Sequence, residues 1–183
     1  MDLETVTAEI TQVLITKEQI ETRIAELAKE LDAYYQGKDL LLVGVLKGAV
    51  MFMADLSRAV QTRVQMDWMA VSSYGSGTTS SGVVRILKDL DSDVLGRDVL
   101  IVEDIIDSGL TLSWLVSNLE ARGASSVEVV SLLRKPDAAK VDVEVRWVGF
   151  EIPNEFVVGY GLDYNEKYRT LPGVAVLSPS VYS

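Results

Sequence analysis

The chain contains no cysteine and no histidine among its 183 residues. Without cysteine it forms no disulfide bond and has no thiolate nucleophile or metal ligand. Without histidine it has no imidazole for acid–base catalysis, no Ser-His triad and no histidine-bound metal. Any proton transfer therefore falls to carboxylates, lysine or tyrosine. Any metal is expected to be an oxygen-bound ion such as Mg²⁺.

Long apolar runs and excess positive charge are also absent. No apolar run reaches the roughly 20 residues of a membrane span, and the acidic start MDLETVTAEI does not resemble a signal peptide, so we expect a cytoplasmic protein with no membrane partner. The formal net charge of −10 argues against nucleic acid as a partner, because phosphate contacts need clustered Lys and Arg. A small phosphorylated ligand remains compatible, since backbone amides and Mg²⁺ can bind it.

The order of apolar segments predicts an α/β fold, with a mostly parallel twisted sheet flanked by helices. Leu40 to Leu46 is a continuous apolar run, as in a strand that is buried on both faces. Thr16 begins a capping box, and the helical spacing after it predicts an amphipathic helix over 17–35. Further strands are expected over 64–73, 83–87, 99–102, 127–133, 143–150 and 156–159, and helices over 49–58 and from about Thr111 to Gly123.

Hydrophobic residues make up 48% of the chain, enough for the core of a single domain spanning 1–183. Buried strands that alternate with helices imply right-handed βαβ units. The segments before residue 38 and after Asp163 are expected to form a small cap from the two ends of the chain.

Charged groups follow several predicted strands: Lys47-Gly48, Glu103-Asp104 with Asp107, Arg134-Lys135, and Asp163. Ligands of open parallel sheets bind beyond the carboxyl ends of the strands. We therefore expect these groups to share one cleft.

The segment VLIVEDIIDSGLT, residues 99–111, carries the clearest chemical signal. Strand alternation directs Glu103 and Asp104 to opposite sides, which suits a sugar diol or a Mg²⁺ shell, although a solvated acidic loop fits the spacing equally well. The run Asp107 to Thr111 opens a helix, whose amides and dipole favour an anion. An ordinary N-cap formed by Asp107 or Ser108 is the alternative.

The other groups are each open to an ordinary interpretation. Lys47-Gly48 can contact a phosphate or can simply form a turn, and Lys135 can donate to a carbonyl or be solvated. The glycine-rich run Tyr74 to Gly82 fits a flexible lid over about 73–83, or an untethered loop. Phe156 can stack on a planar ring or belong to the core.

Together these motifs resemble those of the purine phosphoribosyltransferases, specifically the hypoxanthine-guanine enzymes. VEDIIDSGLT resembles their phosphoribosyl-pyrophosphate signature, and Val45-Leu46-Lys47-Gly48-Ala49 their pyrophosphate loop. Ser73-Tyr74-Gly75 is similar to the start of their flexible loop. Leu133 to Pro136 and Phe156 to Tyr164 resemble their base-recognition segments, and Arg169 lies where they have a pyrophosphate-contacting arginine. The resemblance runs from about Ile15 to about Leu177.

The resemblance implies transfer of a phosphoribosyl group from 5-phosphoribosyl-1-pyrophosphate to N9 of hypoxanthine or guanine, giving IMP or GMP and pyrophosphate. It implies that Asp107 is the catalytic base, that Lys135 contacts the 6-oxo group, and that Phe156 stacks on the purine while the backbone of Val157 reads its edge. It also implies Mg²⁺ as cofactor, a metal site at Glu103, Asp104 and Asp163, and a homodimer or homotetramer. The implied substrate-binding residues are Lys47, Gly48, Ser73, Tyr74, Glu103, Asp104, Ile105, Ile106, Ser108, Gly109, Leu110, Thr111, Lys135, Phe156, Val157, Asp163 and Arg169.

Three other functions compete with this hypothesis. One is a related enzyme that prefers xanthine with guanine. Another is a regulator that senses phosphoribosyl pyrophosphate without catalysis, but such a regulator binds nucleic acid, and the net charge of −10 speaks against it. The last is a binding domain of the same fold whose acidic residues are only solvated.

Overall fold

The computed structural model describes residues 3–73 and 84–182. Its strands are β1 (Ile10–Ile15), β2 (Leu40–Leu46), β3 (Val64–Ser73), β4 (Val84–Lys88), β5 (Asp98–Ile106), β6 (Ser126–Arg134), β7 (Trp147–Glu151), β8 (Val157–Val158) and β9 (Val174–Leu177). Its α-helices are α1 (Lys17–Tyr34), α2 (Val50–Ala59), α3 (Leu110–Ala121) and the short α4 (Pro179–Tyr182), and Leu3–Val6 and Pro136–Ala138 form 3₁₀ turns. The lid predicted over about 73–83, with Tyr74, lies outside the described residues except for the backbone of Ser73.

The main sheet has six strands in the order β4-β3-β2-β5-β6-β7. Strands β3, β2, β5, β6 and β7 run parallel, and β4 is an antiparallel edge strand. The predicted α/β fold with a mostly parallel sheet is therefore confirmed. Because β2 and β5 lie side by side in the centre of the sheet, their carboxyl ends bring Lys47-Gly48 close to Glu103-Asp104.

Both faces of the main sheet are covered by helices, as a parallel sheet requires. Alternate residues of β2 point to opposite faces: Leu40 and Leu42 pack with α1 and α2, whereas Leu41 and Val43 pack with α3. This two-sided burial explains why β2 has an unbroken apolar sequence.

The helix boundaries follow local sequence signals. Thr16 caps α1, accepting a hydrogen bond from the backbone of Gln19 while the Gln19 side chain accepts one from the Thr16 backbone, as the capping box predicts. Helix α3 ends before Gly123, whose φ of +84° is the left-handed conformation expected there. In the described part of the chain, no helix combines the length and apolar character needed to cross a membrane.

The two ends of the chain meet in a second sheet of three strands, in the order β1-β9-β8, all antiparallel. This sheet corresponds to the predicted cap. Its buried residues Ile15, Val157, Val174 and Val176 pack into the same core as α1 and α2. Strands β1 and β9 are not predicted from the sequence. The segment expected to be a seventh strand of the main sheet, 156–159, is instead the two-residue strand β8 in this sheet.

Two strands of the main sheet differ in extent from the prediction. The strand expected over 99–102 extends to Ile106, because β6 continues to pair with it beyond its last pair with β2, which joins Val102 to Gly44. Glu103 and Asp104 are therefore part of β5, and a solvated acidic loop at these residues is wrong. The strand expected over 143–150 begins only at Trp147, because its pairing with β6 begins there.

Candidate active site

The acidic pair of β5 lies in poorly solvated surroundings. Glu103 is only 8% exposed, and Ile105 donates its backbone N–H to Asp104 at 2.7 Å. Burial raises the pKa of Glu103 well above its usual range, with the charge of Asp104 adding to the effect. Burial also raises the pKa of Asp104 to about 6, although Arg169 opposes the shift. A diol or a cation that binds here would offset the cost of keeping both groups ionised.

We expect Asp104→Asn to stabilise the metal-free protein at pH 8. Ionising Asp104 costs the folded state free energy that the unfolded chain does not spend, because the folded pKa is about 6. At about 1.4 kcal/mol per pKa unit, the free energy of unfolding should rise by on the order of 1–3 kcal/mol. The gain should shrink as the pH falls from 6 towards 4, where Asp104 is protonated in the folded state. Urea unfolding in EDTA at pH 8 and at pH 4 measures the free energy of unfolding of both proteins.

Asp89→Asn is the matched control for this experiment. Hydrogen bonds from Arg122 lower the pKa of Asp89. The ionised form of Asp89 therefore stabilises the folded state at any pH above the pKa that Asp89 has in the unfolded chain. That contribution is lost as the pH falls through the lower pKa of the folded state. Asp89→Asn should destabilise the protein at pH 8. A loss of stability in both variants at pH 8 would contradict the assignment for Asp104.

The loop between β5 and α3 wraps around the helix N-terminus. Gly109, at φ +79°, is the N-cap residue of α3, so the alternative in which Asp107 or Ser108 is the N-cap is wrong. The Ser108 carbonyl accepts hydrogen bonds from the backbone N–H groups of Lys140 at 3.0 Å and Val141 at 3.3 Å. A Cβ at Gly109 would lie 3.1 Å from the Val141 carbonyl oxygen. The loop is thus held against residues 140 and 141, and the first backbone N–H groups of α3 have no partner within the helix, as at any helix N-terminus.

Lys135 and Asp107 lie together at the ends of β6 and β5. The Lys135 ammonium is 3.9 Å from the Asp107 carboxylate. The lysine side chain is 10% exposed and the aspartate side chain 61% exposed. The Lys135 backbone donates to the Ile106 carbonyl at 2.9 Å. The ammonium of Lys135 has three N–H donors, so besides its contact with Asp107 it can donate a hydrogen bond to a ligand oxygen that lies beside Asp107.

A second cluster of charged side chains joins the residue after β2, Lys47, to the segment that follows β8. Glu166 accepts from Lys47 at 2.9 Å and from Arg169 at 3.1 Å. Arg169 also contacts Asp163 at 2.9 Å and donates to the Gly161 carbonyl at 2.8 Å. Hydrogen bonds from Lys47 and Arg169 lower the pKa of Glu166. Two cations thus lie on either side of one carboxylate, as they could around a pyrophosphate.

Close backbone packing joins these groups to the acidic pair. A Cβ at Gly48 would lie 1.6 Å from Asp104 Oδ2, and a Cβ at Gly161 would lie 2.0 Å from the Gly48 carbonyl oxygen. The Leu46–Lys47 peptide bond between β2 and Gly48 is cis. Glycine at 48 and 161 therefore allows the Lys47 loop to contact both β5 and the Arg169 segment.

One open cleft of about 270 Å³ brings together nine of the eighteen predicted site residues. Its lining includes Gly48, Glu103, Asp104, Ile105, Ile106, Asp107, Ser108, Gly109 and Thr111. A neighbouring cavity of about 100 Å³ shares Ile106, Asp107 and Gly109 with it and adds Lys135. Leu110, Phe156, Val157, Asp163, Arg169 and Lys47 line neither cavity. Phe156 is 39% exposed, so its interpretation as a core residue is wrong, whereas Val157 is buried in β8.

Sequence reasoning missed Glu166 and Tyr182, and it gave Gly161 and Tyr164 no individual role although both lie in the segment from Phe156 to Tyr164. Tyr164 and Tyr182 are the aromatic neighbours of Phe156. Phe156 stacks on Tyr182 with ring centroids 4.9 Å apart, and its ring is nearly perpendicular to that of Tyr164, with centroids 5.8 Å apart. The cluster of two acidic and two basic residues from Asp163 to Arg169 is a signal that could have drawn attention to Glu166.

The family model of the phosphoribosyl transferase domain matches residues 12–165. The chain belongs to the phosphoribosyltransferase family. It is 59% identical over 180 residues to a hypoxanthine-guanine phosphoribosyltransferase of Mycobacterium tuberculosis, covering 95% of this chain and 89% of the relative. A relative of the same name from Bacillus subtilis is 55% identical over 174 residues, covering 95% and 97%.

A solved structure has the same fold as this phosphoribosyltransferase. The hypoxanthine phosphoribosyltransferase of Staphylococcus aureus superposes with a TM-score of 0.95 at 48% identity, covering 98% of this chain and 97% of that one. The similarity thus extends over the main sheet and the smaller sheet.

Proposed function

We propose that this phosphoribosyltransferase is a purine salvage enzyme. It transfers the phosphoribosyl group of 5-phosphoribosyl-1-pyrophosphate to N9 of hypoxanthine or guanine, giving IMP or GMP and pyrophosphate. The observation that carries the proposal is the contact between Lys135 and Asp107 beside the loop that opens α3, because it sets a hydrogen-bond donor and a base next to an anion site. The names of the Mycobacterium and Bacillus relatives support the same reaction.

The sugar phosphate binds along β5 and the start of α3. Glu103 and Asp104 accept hydrogen bonds from the two ribose hydroxyls, which suits carboxylates that emerge on opposite sides of one strand. The amides and hydroxyls of Ser108, Gly109, Leu110 and Thr111 bind the 5′-phosphate, with the dipole of α3 favouring its charge. Ser73 and Tyr74 are proposed to contact the same substrate.

The leaving pyrophosphate binds to Lys47, the Gly48 amide and Arg169. As the bond between ribose C1 and pyrophosphate lengthens, positive charge develops on the sugar and negative charge on the leaving group. Two fixed cations stabilise that negative charge, and the ionised carboxylates of β5 stabilise the sugar. Transfer of the sugar to N9 then leaves a proton to be removed from N7.

The purine binds near Lys135 and Asp107. Asp107 takes the N7 proton as N9 attacks C1 of the ribose, and Lys135 donates to the 6-oxo group. Phe156 stacks on the ring, the Val157 backbone contacts its edge, and Ile105 and Ile106 offer apolar contacts. Adenine presents an amino donor at the 6-position, so its contact with the Lys135 ammonium is unfavourable.

Mg²⁺ fits the donor set of Glu103, Asp104 and Asp163. These are hard oxygen ligands, and burial makes the charges of the β5 pair costly without a cation. Within residues 3–73 and 84–182, no group of three or more acidic side chains is close enough to enclose a metal by itself. Water and the substrate's own oxygens would complete the shell, as is usual for Mg²⁺. Bound Mg²⁺ would neutralise charge on the pyrophosphate.

A spectrophotometric assay with Mg²⁺ and phosphoribosyl pyrophosphate tests the proposal directly. Hypoxanthine, guanine, xanthine, adenine and uracil are compared as acceptors. We expect turnover with hypoxanthine and guanine and at least about 100-fold less with adenine, because Lys135 cannot accept a hydrogen bond. Faster turnover of xanthine with guanine would favour the related xanthine-guanine enzyme. No turnover, together with RNA or DNA retained in filter binding, would favour a regulator.

Glu166→Gln should lower the KM for phosphoribosyl pyrophosphate by about two- to fivefold. Glu166 contacts Lys47 and Arg169, and a pyrophosphate that uses these cations must compete with it. The expected size is that of exposed ion pairs. Initial rates at low ionic strength measure the effect. Glu30→Gln, which alters the distant surface contact with Arg23, is the control. A raised KM in Glu166→Gln alone would mean that Glu166 holds the cations in position for the substrate.

Three wider properties belong to the same proposal. The 183 residues act as one phosphoribosyltransferase domain, consistent with a hydrophobic core that contains residues of both the main sheet and the smaller sheet. The enzyme works in the cytoplasm, since its polyanionic substrate does not cross a bilayer unaided. It assembles as a homodimer or homotetramer, which analytical ultracentrifugation tests.

A further inference from the structure

We propose that Tyr182 is a positioning residue for purine binding, which fixes the ring of Phe156 in the orientation that stacks on the base. The proposal rests on the stacking role proposed above for Phe156. It assigns a function to α4, a short segment more than twenty residues along the chain from Phe156.

Phe156, Tyr164 and Tyr182 form an aromatic triad in which each ring contacts the other two. The Tyr182 ring is stacked on Phe156, with centroids 4.9 Å apart and an angle of 28° between the planes. Tyr164 meets Phe156 at 5.8 Å and 88°, and meets Tyr182 at 6.3 Å and 63°. One face of Phe156 is therefore covered by Tyr182, yet Phe156 remains 39% exposed. The exposed part of the ring is available to a flat ligand.

The backbone on both sides of this stack is fixed by the smaller sheet. Leu177 donates its N–H to the Phe156 carbonyl at 2.9 Å, next to the pairing of β8 with β9. Ser178 donates to the Glu9 carbonyl at 2.8 Å, and Val181 donates to the Ser178 carbonyl at 2.9 Å. Val181 also packs against the small core around Val158 and Leu171. Tyr182 is thus attached to the same framework as Phe156.

The stacking of Tyr182 on Phe156 should increase the affinity of the enzyme for the purine base. An isolated phenylalanine ring can rotate about χ1 and χ2, and a base gains from stacking only when the ring is parallel to it. Tyr182 restricts that rotation before the base arrives, so less ordering is needed on binding. Its loss should weaken the purine and leave the sugar and pyrophosphate contacts at β5 and Lys47 unaffected.

The test is a double-mutant cycle on the full chain with Tyr182→Ala, Phe156→Ala and the combined variant, each assayed with hypoxanthine and phosphoribosyl pyrophosphate. We expect Tyr182→Ala to raise the KM for hypoxanthine by about three- to tenfold, the range of an aromatic pair. The kcat and the KM for phosphoribosyl pyrophosphate should stay within twofold. In the Phe156→Ala background, Tyr182→Ala should have no further effect on the KM for hypoxanthine.

Two more variants separate positioning from stability. Tyr182→Phe keeps the ring and should retain the wild-type KM. Tyr182→Leu keeps apolar bulk but not the flat ring, so it should preserve the melting temperature and still raise the KM for hypoxanthine.

The outcomes that contradict the proposal are distinct from one another. An equal effect of Tyr182→Ala with and without Phe156, a parallel rise in the KM for phosphoribosyl pyrophosphate, or a fall in the KM for hypoxanthine would each overturn the positioning role of Tyr182. If Phe156→Ala itself leaves the KM for hypoxanthine unchanged, the stacking role of Phe156 fails, and the role of Tyr182 fails with it. The phosphoribosyl transfer itself is judged separately, by the turnover of the wild-type enzyme.

Discussion

Asp107→Asn should reduce kcat by about 10²- to 10⁴-fold, the usual contribution of a general base, and leave binding of phosphoribosyl pyrophosphate nearly unchanged. Asparagine keeps the size of the side chain but cannot take the N7 proton. In a chain without histidine, no imidazole can replace it. The Asp107 side chain is 61% exposed, so the folded state should lose little stability. Steady-state kinetics with hypoxanthine, and calorimetric titration of phosphoribosyl pyrophosphate with Mg²⁺, measure the two effects.

Asp137→Asn is the matched control, since Asp137 is an exposed aspartate in the turn that follows Lys135. It should keep wild-type turnover. Near wild-type turnover of Asp107→Asn would refute its role as the base.

The elements predicted well from the sequence are those whose signals are local. The capping box at Thr16 and the helical spacing after it define α1, and the continuous apolar run of 40–46 defines β2. The order of Glu103, Asp104 and Asp107 before a helix was enough to locate the cleft. All of these signals lie within a few residues of the structure that they specify.

The elements that were missed depend on contacts between distant parts of the chain. Strand β1 pairs with β9 across more than 150 residues, and its sequence ITQVLI is mostly exposed, so no alternation of buried residues marks it. The contact of Glu166 with Lys47 depends on a loop in which Asn165, Glu166 and Tyr168 all have positive φ. Positive φ at three non-glycine residues is not a pattern that sequence propensity predicts.

Gly48→Ala should reduce kcat/KM by at least about 100-fold, the effect expected when catalytic groups are displaced by an ångström. The added Cβ would lie 1.6 Å from Asp104 Oδ2, so either the Lys47 loop or β5 must move. Movement of the loop withdraws Lys47 and the Gly48 amide from the pyrophosphate, and movement of β5 displaces Asp104 from the ribose. Both KM for phosphoribosyl pyrophosphate and kcat should therefore change, which initial-rate kinetics will measure.

Gly96→Ala separates this steric effect from the backbone cost of replacing glycine. Gly96 has a φ of +69°, so alanine there strains the backbone, yet a Cβ would meet no atom within 4 Å. We expect Gly96→Ala to lose on the order of 1 kcal/mol of stability and to keep its kinetic constants. Gly48 has no positive φ, and its substitution tests the contact with Asp104 alone. If the two variants lost activity equally, the contact between Gly48 and Asp104 would not be what sets the geometry of the site.

A combined variant adds a further check if Gly48→Ala alone loses activity. In Gly48→Ala with Asp104→Gly, the added methyl group would occupy the space left by the carboxylate. Any stability lost in Gly48→Ala should therefore be restored, whereas turnover should not.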